Sequence, residues 1–242
     1  MGWLAGVVEW FRDPAHWQGE AGVPSRFVEH VGLSAAAVGL ACLLALPLAL
    51  WLGHVRRGGG LAVQVSNVGR AVPTFAVLVL LGLAPEPFGL STLSTLTALT
   101  LFAVPPLLTN TYVGVREVDP DTVEAARGMG MSGWQVLRRV ELPLAVPLLM
   151  NGVRLAAVQV VATATIAALV AGGGLGALIT DGFGRQDQPA LLAGAFCVLL
   201  LALAVEVVMA LLQRVVDPVG RARRSRRAGP PGGSETVRVT VS

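Results

Sequence analysis

Few residues of this 242-residue chain could do covalent chemistry, and they do not converge. His16, His30 and His54 are its histidines, and Cys42 and Cys197 its cysteines. The thiols lie inside apolar runs, where free cysteine behaves as a small buried hydrophobe. The histidines fall outside the apolar segments assigned below, so no metal site or proton relay is expected from them within a membrane. All 18 basic residues are arginine. A phosphate-cradling loop needs a lysine after its glycines. The run AGGGLG at 171–176 is followed by Ala177 and Leu178 instead, so ATP hydrolysis by that route is excluded. The chain is not expected to be an enzyme, and no cofactor or catalytic residue is assigned to it. Its concentrated chemistry is a charged stretch, EAARGMGMSGWQVLRRVELP at 124–143, which sets Glu124, Arg127, Arg138, Arg139 and Glu141 between two apolar regions. Charges so placed suit either a solvated hairpin linking two spans or ion pairing with another protein.

The elements around that stretch follow from composition. Hydrophobic residues make up 54% of the chain and charged residues 14%, against about 25% charge in a soluble domain. Mean hydropathy is +0.68. Apolar runs of about 18 or more residues recur, as spanning helices require. The weaker alternating segments of a β-barrel are not seen. The fold class is all-α integral membrane, with about five transmembrane helices. They are expected at 31–52, at 72–84 with a lead-in from 61, at 91–109, at 147–170 and at 190–212. The transmembrane domain is thus 31–212.

Residues 1–30 read as an amphipathic segment on the membrane surface, ended by Asp13-Pro14, with Trp3, Trp10 and Trp17 at headgroup level. They lack the basic start and apolar centre of a signal peptide. The tail 213–242 is basic and rich in glycine and proline, and is expected to be disordered beside anionic lipid, with no nucleic-acid partner. Short loops on the cytoplasmic side accumulate positive charge. Thirteen arginines fall on one side (Arg56, Arg57, Arg116, Arg127, Arg138, Arg139 and seven from Arg214 to Arg238) and three on the other (Arg12, Arg26, Arg185). That asymmetry predicts N-terminus out, C-terminus in, and the charged stretch in the cytoplasm.

Within the loop 119–143, Asp119-Pro120-Asp121 is a helix start: a capping acid, proline at the first position, then an acid in the first turn. This helix runs to Gly128 or Gly130, and Gly130 can adopt the left-handed turn that closes it. Ser132 and Gln135 match a capping box that opens a second helix, expected to end near Arg138-Arg139. Leu142 and Pro143 mark the return to the membrane. Ala125 and Ala126 beside Glu124 would let the first helix approach a partner's backbone closely, with the acid meeting a basic group.

Glu124, Ala125, Ala126, Gly130, Val140, Leu142 and Pro143 together resemble the loop of membrane subunits of binding-protein-dependent ABC importers, with valine where that family usually has isoleucine. The segments PPLLTNTYVGVREVDPDTVEAARGMGMSGWQVLRRVELPLAVPLLMNGVR and IAALVAGGGLGALITDGF resemble the osmoprotectant branch, and the likeness extends over about 31–212. RAVPTFAVLVLLGL (70–83) departs from it at Arg70-Ala71, where glutamine-threonine is common. The resemblance implies a permease fold like that of the methionine importer and a coupling helix that docks a cytoplasmic ATPase dimer. ATP and Mg would sit on that partner. It also implies an extracytoplasmic substrate-binding protein and a second permease chain, most simply a homodimer, in the inner (cytoplasmic) membrane. The solute would be glycine betaine, carnitine or choline, with methionine or another amino acid as the alternative. A secondary transporter or channel is the reading from another class.

For a solute pathway the sequence offers Ser94, Thr97, Asn151, Gln159 and Thr163. Ser91, Ser94, Thr97 and Thr100 wind around their helix, which fits interhelical hydrogen bonding as well as pathway lining. Pro105-Pro106 is expected to kink or end that helix. Arg154 could snorkel to the cytoplasmic surface. Glu206, an acid within a span, is either functional or paired with an arginine or backbone group. Gly172, Gly173, Gly174 and Gly176 suggest a pliant outer turn, either a receptor contact or a plain loop. No aromatic cage for a quaternary ammonium ion is evident in the spans.

Overall fold

The structure is a computed structural model and describes residues 2–56, 58–170 and 172–216. The described residues form α1 (Gly2–Arg12), a 3-10 turn (Pro14–Trp17), α2 (Val23–Val55), α3 (Gly59–Ala71), α4 (Thr74–Gly82), α5 (Thr92–Arg116) and α6 (Pro120–Gly128). Then come α7 (Gly133–Val136), a π-turn (Leu137–Glu141), α8 (Leu142–Ala167), α9 (Leu175–Gly184) and α10 (Gln188–Val216). Among the described residues, four helical stretches are long and apolar enough to cross a membrane: α2, α5, the continuous Gly133–Ala167 run, and α10.

Each expected span changes at its ends. The first begins at Val23, not 31, because Pro24 sits in the opening turn where a missing N–H costs nothing. The second is two helices, α3 and α4. Val72 takes the extended backbone that a following proline favours, and this breaks the helix before Pro73. The third runs on to Arg116, and Pro105-Pro106 do not end it. The carbonyl of Phe102, which Pro106 deprives of its N–H partner, accepts from Gln159 Nε2 at 3.3 Å across the α5–α8 contact. The fifth extends to Val216. The expected tail therefore starts after 216, and 217–242 lie outside the described residues.

The core is where α2, α5 and α8 meet. Ala37, Ala41, Ala45 and Ala49 recur every four residues along α2, each at most 1% exposed. Ala156, Val160 and Ala164 do the same on α8, against Leu99, Ala103, Leu107 and Tyr112 of α5. Small residues at this spacing let backbones approach, and packing is the main force joining helices in lipid. The α5–α8 seam is one tight case: a Cβ on Gly152 would lie 2.9 Å from Asn110 Cβ and 3.0 Å from the Pro106 carbonyl. Asn110 Nδ2 donates to that carbonyl at 2.8 Å, and Asn151 Nδ2 donates to Asn110 Oδ1 at 3.1 Å.

Two expectations at the end of the bundle away from the loop need correction. Trp10 does not face outward with the other two tryptophans; it is buried against Val23 and Ala193, while Trp3 and Trp17 are exposed. The glycine turn after α8 is fastened, not pliant. Gly174 N–H donates to Glu29 Oε2 at 2.8 Å, and Arg26 holds the same carboxylate at 3.2 Å. A Cβ at Gly173 would push against the Glu29 carboxylate, so a larger residue there displaces that side chain. The turn leads into α9, a short helix that hydropathy did not single out. His30, expected outside the spans, lies in α2 and is buried; its Nε2–H donates to Val161 O at 3.0 Å.

Candidate functional site

The charged loop folds as an amphipathic unit. Asp119 caps α6 by accepting from Asp121 N–H at 2.9 Å, with Pro120 in the first turn. The helix ends at Gly128, and Gly130 takes φ +83°, a left-handed turn that suits glycine. Ser132 and Gln135 form the reciprocal capping box that opens α7. The second helix does not end at Arg138-Arg139. It passes through the π-turn 137–141 into α8, giving one helical stretch from Gly133 to Ala167. Pro143 is the physical reason. It cannot donate to the Arg139 carbonyl and its ring crowds that turn, so the backbone widens there. Leu142 N–H then reaches back five residues to Leu137 O.

One face of α6 turns inward. Val123 and Ala126 pack with Val118 and Val136 in a small core of the loop's own, flanked by Met131 and Val140. Ala126, expected on the docking face, is therefore committed to the loop's interior. The outward face holds Asp121, Glu124, Ala125 and Gly128, all exposed. Beside it stand Met129 at 76% and Trp134 at 68% exposed, two apolar groups that a search for charges passed over. The site is therefore a rigid knob with one acidic, small-residue face and an apolar shoulder. Such a surface can bind, and it contains no nucleophile–base pair.

The knob is tied to the bundle at the end of α2. His54 Nδ1–H donates to Glu141 Oε2 at 2.6 Å, and Glu141 is 1% exposed. Arg56 Nη2 donates to Val118 O at 3.1 Å, and Arg116 Nη1 donates to Arg56 O at 3.2 Å. His54, expected outside the spans, sits in the last turn of α2.

The polar residues of the spans divide. Ser94 is buried and donates to Gly89 O at 2.7 Å, Thr97 donates to Leu93 O at 2.7 Å, and Thr100 to Leu96 O at 2.7 Å. Asn151 belongs to the α5–α8 seam, and Thr163 is half-buried on α8. Gln159 lines a cleft of about 330 Å³ with Pro106, Leu155, Val158 and Glu206. Arg154 does not snorkel. Its Nε and Nη2 both meet the Glu206 carboxylate, joining α8 to α10. Glu206→Ala is expected to lower the yield of monodisperse protein, because it leaves the part-exposed Arg154 guanidinium at the α8–α10 contact with only the Gln213 amide oxygen as a partner among the described residues. Arg154→Leu combined with Glu206→Leu should recover much of that loss. Equal yields from the single and double variants would show that the pair is not structural.

Residues 43–218 match the family described as binding-protein-dependent transport system inner membrane component. The chain belongs to this family. Members are transmembrane subunits without ATPase activity of their own, set in the inner membrane with several spans. A binding-protein-dependent ABC system implies an ATPase and a solute-binding protein as partners of this permease. The permease is 34% identical over 196 residues to a glycine betaine/carnitine/choline transport system permease protein, OpuCB, of Bacillus subtilis, covering 79% of this chain and 87% of that one. It is 35% identical over 203 residues to the carnitine transport permease protein OpuCD of Listeria monocytogenes, covering 84% and 90%. The osmoprotectant import permease protein OsmW of Salmonella typhimurium is 35% identical over 197 residues, covering 79% and 90%. Among solved structures, the MetNI methionine ABC transporter in inward-facing form matches with a TM-score of 0.71 at 20% identity, covering 84% of this chain and 98% of that one. That likeness establishes the permease fold.

Proposed function

We propose that this permease forms the translocation pathway of an ATP-driven importer for quaternary ammonium osmoprotectants such as glycine betaine, carnitine or choline, and that α6 docks the ATPase. The observation that carries the docking role is the two-faced α6: its inner face is locked in the loop's core, and its outer face, with Glu124 and Ala125, is exposed and has no partner among the described residues. Gly130, Leu142 and Pro143 serve it by setting the turn after α6 and the entry into α8; Ala126 serves it from inside, by holding α6 on the loop. The substrate class rests on the relatives' shared solutes.

The loop end faces the cytoplasm, with the C-terminus inside and the N-terminus outside, in keeping with thirteen arginines against three. The permease works as a twofold homodimer, since two ATPase subunits closing on nucleotide need two docking helices. Gln64 and Asn67 on α3 support a second chain: both are exposed, and such groups within a bilayer need a partner or a watered path. Of the polar residues in the spans, Gln159 is the strongest for the pathway: its Nε2 is taken by the Phe102 carbonyl, but its amide oxygen accepts no hydrogen bond among the described residues, and it shares a cleft with Glu206. Ser94 and Thr97 spend their hydroxyls on backbone carbonyls. The unit of transport is the bundle from α2 to α10, Val23 to Val216, served by the amphipathic α1 before it and the basic residues after 216.

The test is uptake by vesicles holding the permease, its ATPase and its binding protein, given labelled glycine betaine, carnitine, choline or methionine. ATP-dependent accumulation of a quaternary amine is expected. Accumulation of methionine alone would reject the substrate class, and uphill uptake without the ATPase would reject the importer.

A further inference from the structure

The ends of α5 and α8 are joined to the loop by the chain itself, but α2 is not. We propose that His54 and Glu141 are positioning residues that make α2 move with the coupling loop, so that force arriving at α6 reaches the α2 alanine stripe. The proposal rests on the docking role given to α6 above. Three observations carry it. First, Glu141 is 1% exposed and its carboxylate meets His54 Nδ1 at 2.6 Å, its one side-chain partner among the described residues. A buried carboxylate that loses such a partner is strongly destabilised. Second, the other edge of the same ring lies against α7: a Cβ on Gly133 would come within 3.3 Å of His54 Nε2. The imidazole therefore touches the coupling loop's second helix at both its start and its π-turn. Third, the carrier of the histidine is firm. Gly53 lets α2 press on α5, since a Cβ there would fall 2.7 Å from Val115 Cβ.

The link also explains why the helix is continuous from Gly133 to Ala167. A hinge at Leu142-Pro143 would let the knob tilt without moving α8. The π-turn accommodates Pro143 without such a hinge, and it places Glu141 where α2 can grip it. Rigid-body switching between two packings then involves α2, α5 and α8 together.

The experiment compares His54→Leu combined with Glu141→Met, which removes both polar groups and keeps similar volume, with His54→Gln, which keeps a side chain able to donate to the carboxylate. All are reconstituted with the ATPase and binding protein. The double variant is expected to bind the ATPase as the wild type does. Its maximal uptake should fall about tenfold, with the half-saturating concentration of loaded binding protein unchanged and more ATP hydrolysed per solute moved. His54→Gln should restore most of the uptake. Wild-type uptake and stoichiometry in the double variant overturn the proposal. Loss of ATPase binding in it also overturns the proposal, since the pair would then shape the docking surface and not transmit motion. Should the double variant fail to assemble, Gly133→Ala decides: it crowds the imidazole and leaves the carboxylate in place. A fall in maximal uptake with ATPase binding intact supports the link, and unchanged uptake removes it. Failure of the docking reading itself is separate, and would show as ATPase binding that ignores the charge at Glu124.

Discussion

Glu124→Arg is expected to weaken ATPase binding about a hundredfold, the scale of placing like charges opposite each other at an interface, and to abolish uptake. The variant should still fold. Glu124 is exposed in the middle of α6, arginine is a good helix former, and the inward residues Val123 and Ala126 are untouched. The neighbouring Arg127 adds a like charge three residues on, worth a few tenths of a kcal/mol in an exposed helix, too little to melt a unit with its own core and two capped starts. Glu124→Gln removes the attraction without adding repulsion and should fall between the two. Co-purification with the ATPase, followed by vesicle uptake, measures both effects. If Glu124→Arg binds and transports normally, α6 is not the docking helix. If labelling from outside intact cells reaches residues in 119–142, the orientation is wrong as well.

The parts of this site that were legible in the sequence are local. An acid followed by proline, a serine three residues before a glutamine, and a glycine between two polar helices each act over one turn of chain, and all appear where the residues predict. The membrane class was legible because lipid demands apolar runs of a fixed length. What hid was long-range or needed a tally of small residues. His54 and Glu141 are 87 residues apart, and Arg154 and Glu206 are 52 apart; a single sequence contains nothing that pairs them. The fourth span was misplaced because Arg138, Arg139 and Glu141 lower hydropathy where the helix is already running. The signal for the core was present but faint. Alanines at 37, 41, 45 and 49 are ordinary in a hydrophobic helix, and only their spacing of four betrays a packed stripe. Trp10 was misjudged by the same route, since an aromatic on an amphipathic helix looks alike whether it faces headgroups or another helix.

Gly152→Val is expected to be the most damaging single change within the spans. The α5–α8 seam has no slack at this position, because the nearest groups are the Asn110 Cβ and the Pro106 carbonyl, both fixed to backbone. A branched side chain there can fit only if the helices part. Parting them strains the chain of amide bonds that runs from Asn151 through Asn110 to Pro106. It also pulls Gln159 away from the Phe102 carbonyl, which has no other donor once Pro106 has removed one. Overpacking of this kind costs about 3 kcal/mol, and Gly152→Ala should cost less. Gly39→Ala is the control, since nothing lies within 4 Å of a Cβ at that position. Thermal melting in detergent orders the three variants, and an unshifted melting point for Gly152→Val would mean that α5 and α8 are not closely packed. The consequence for transport follows from where the seam lies. The loop's motion enters α8 directly through the π-turn, and α5 stays in step with α8 only while the two backbones remain in contact. A Gly152→Val permease that survives purification should therefore bind its ATPase through an intact knob and still move little solute.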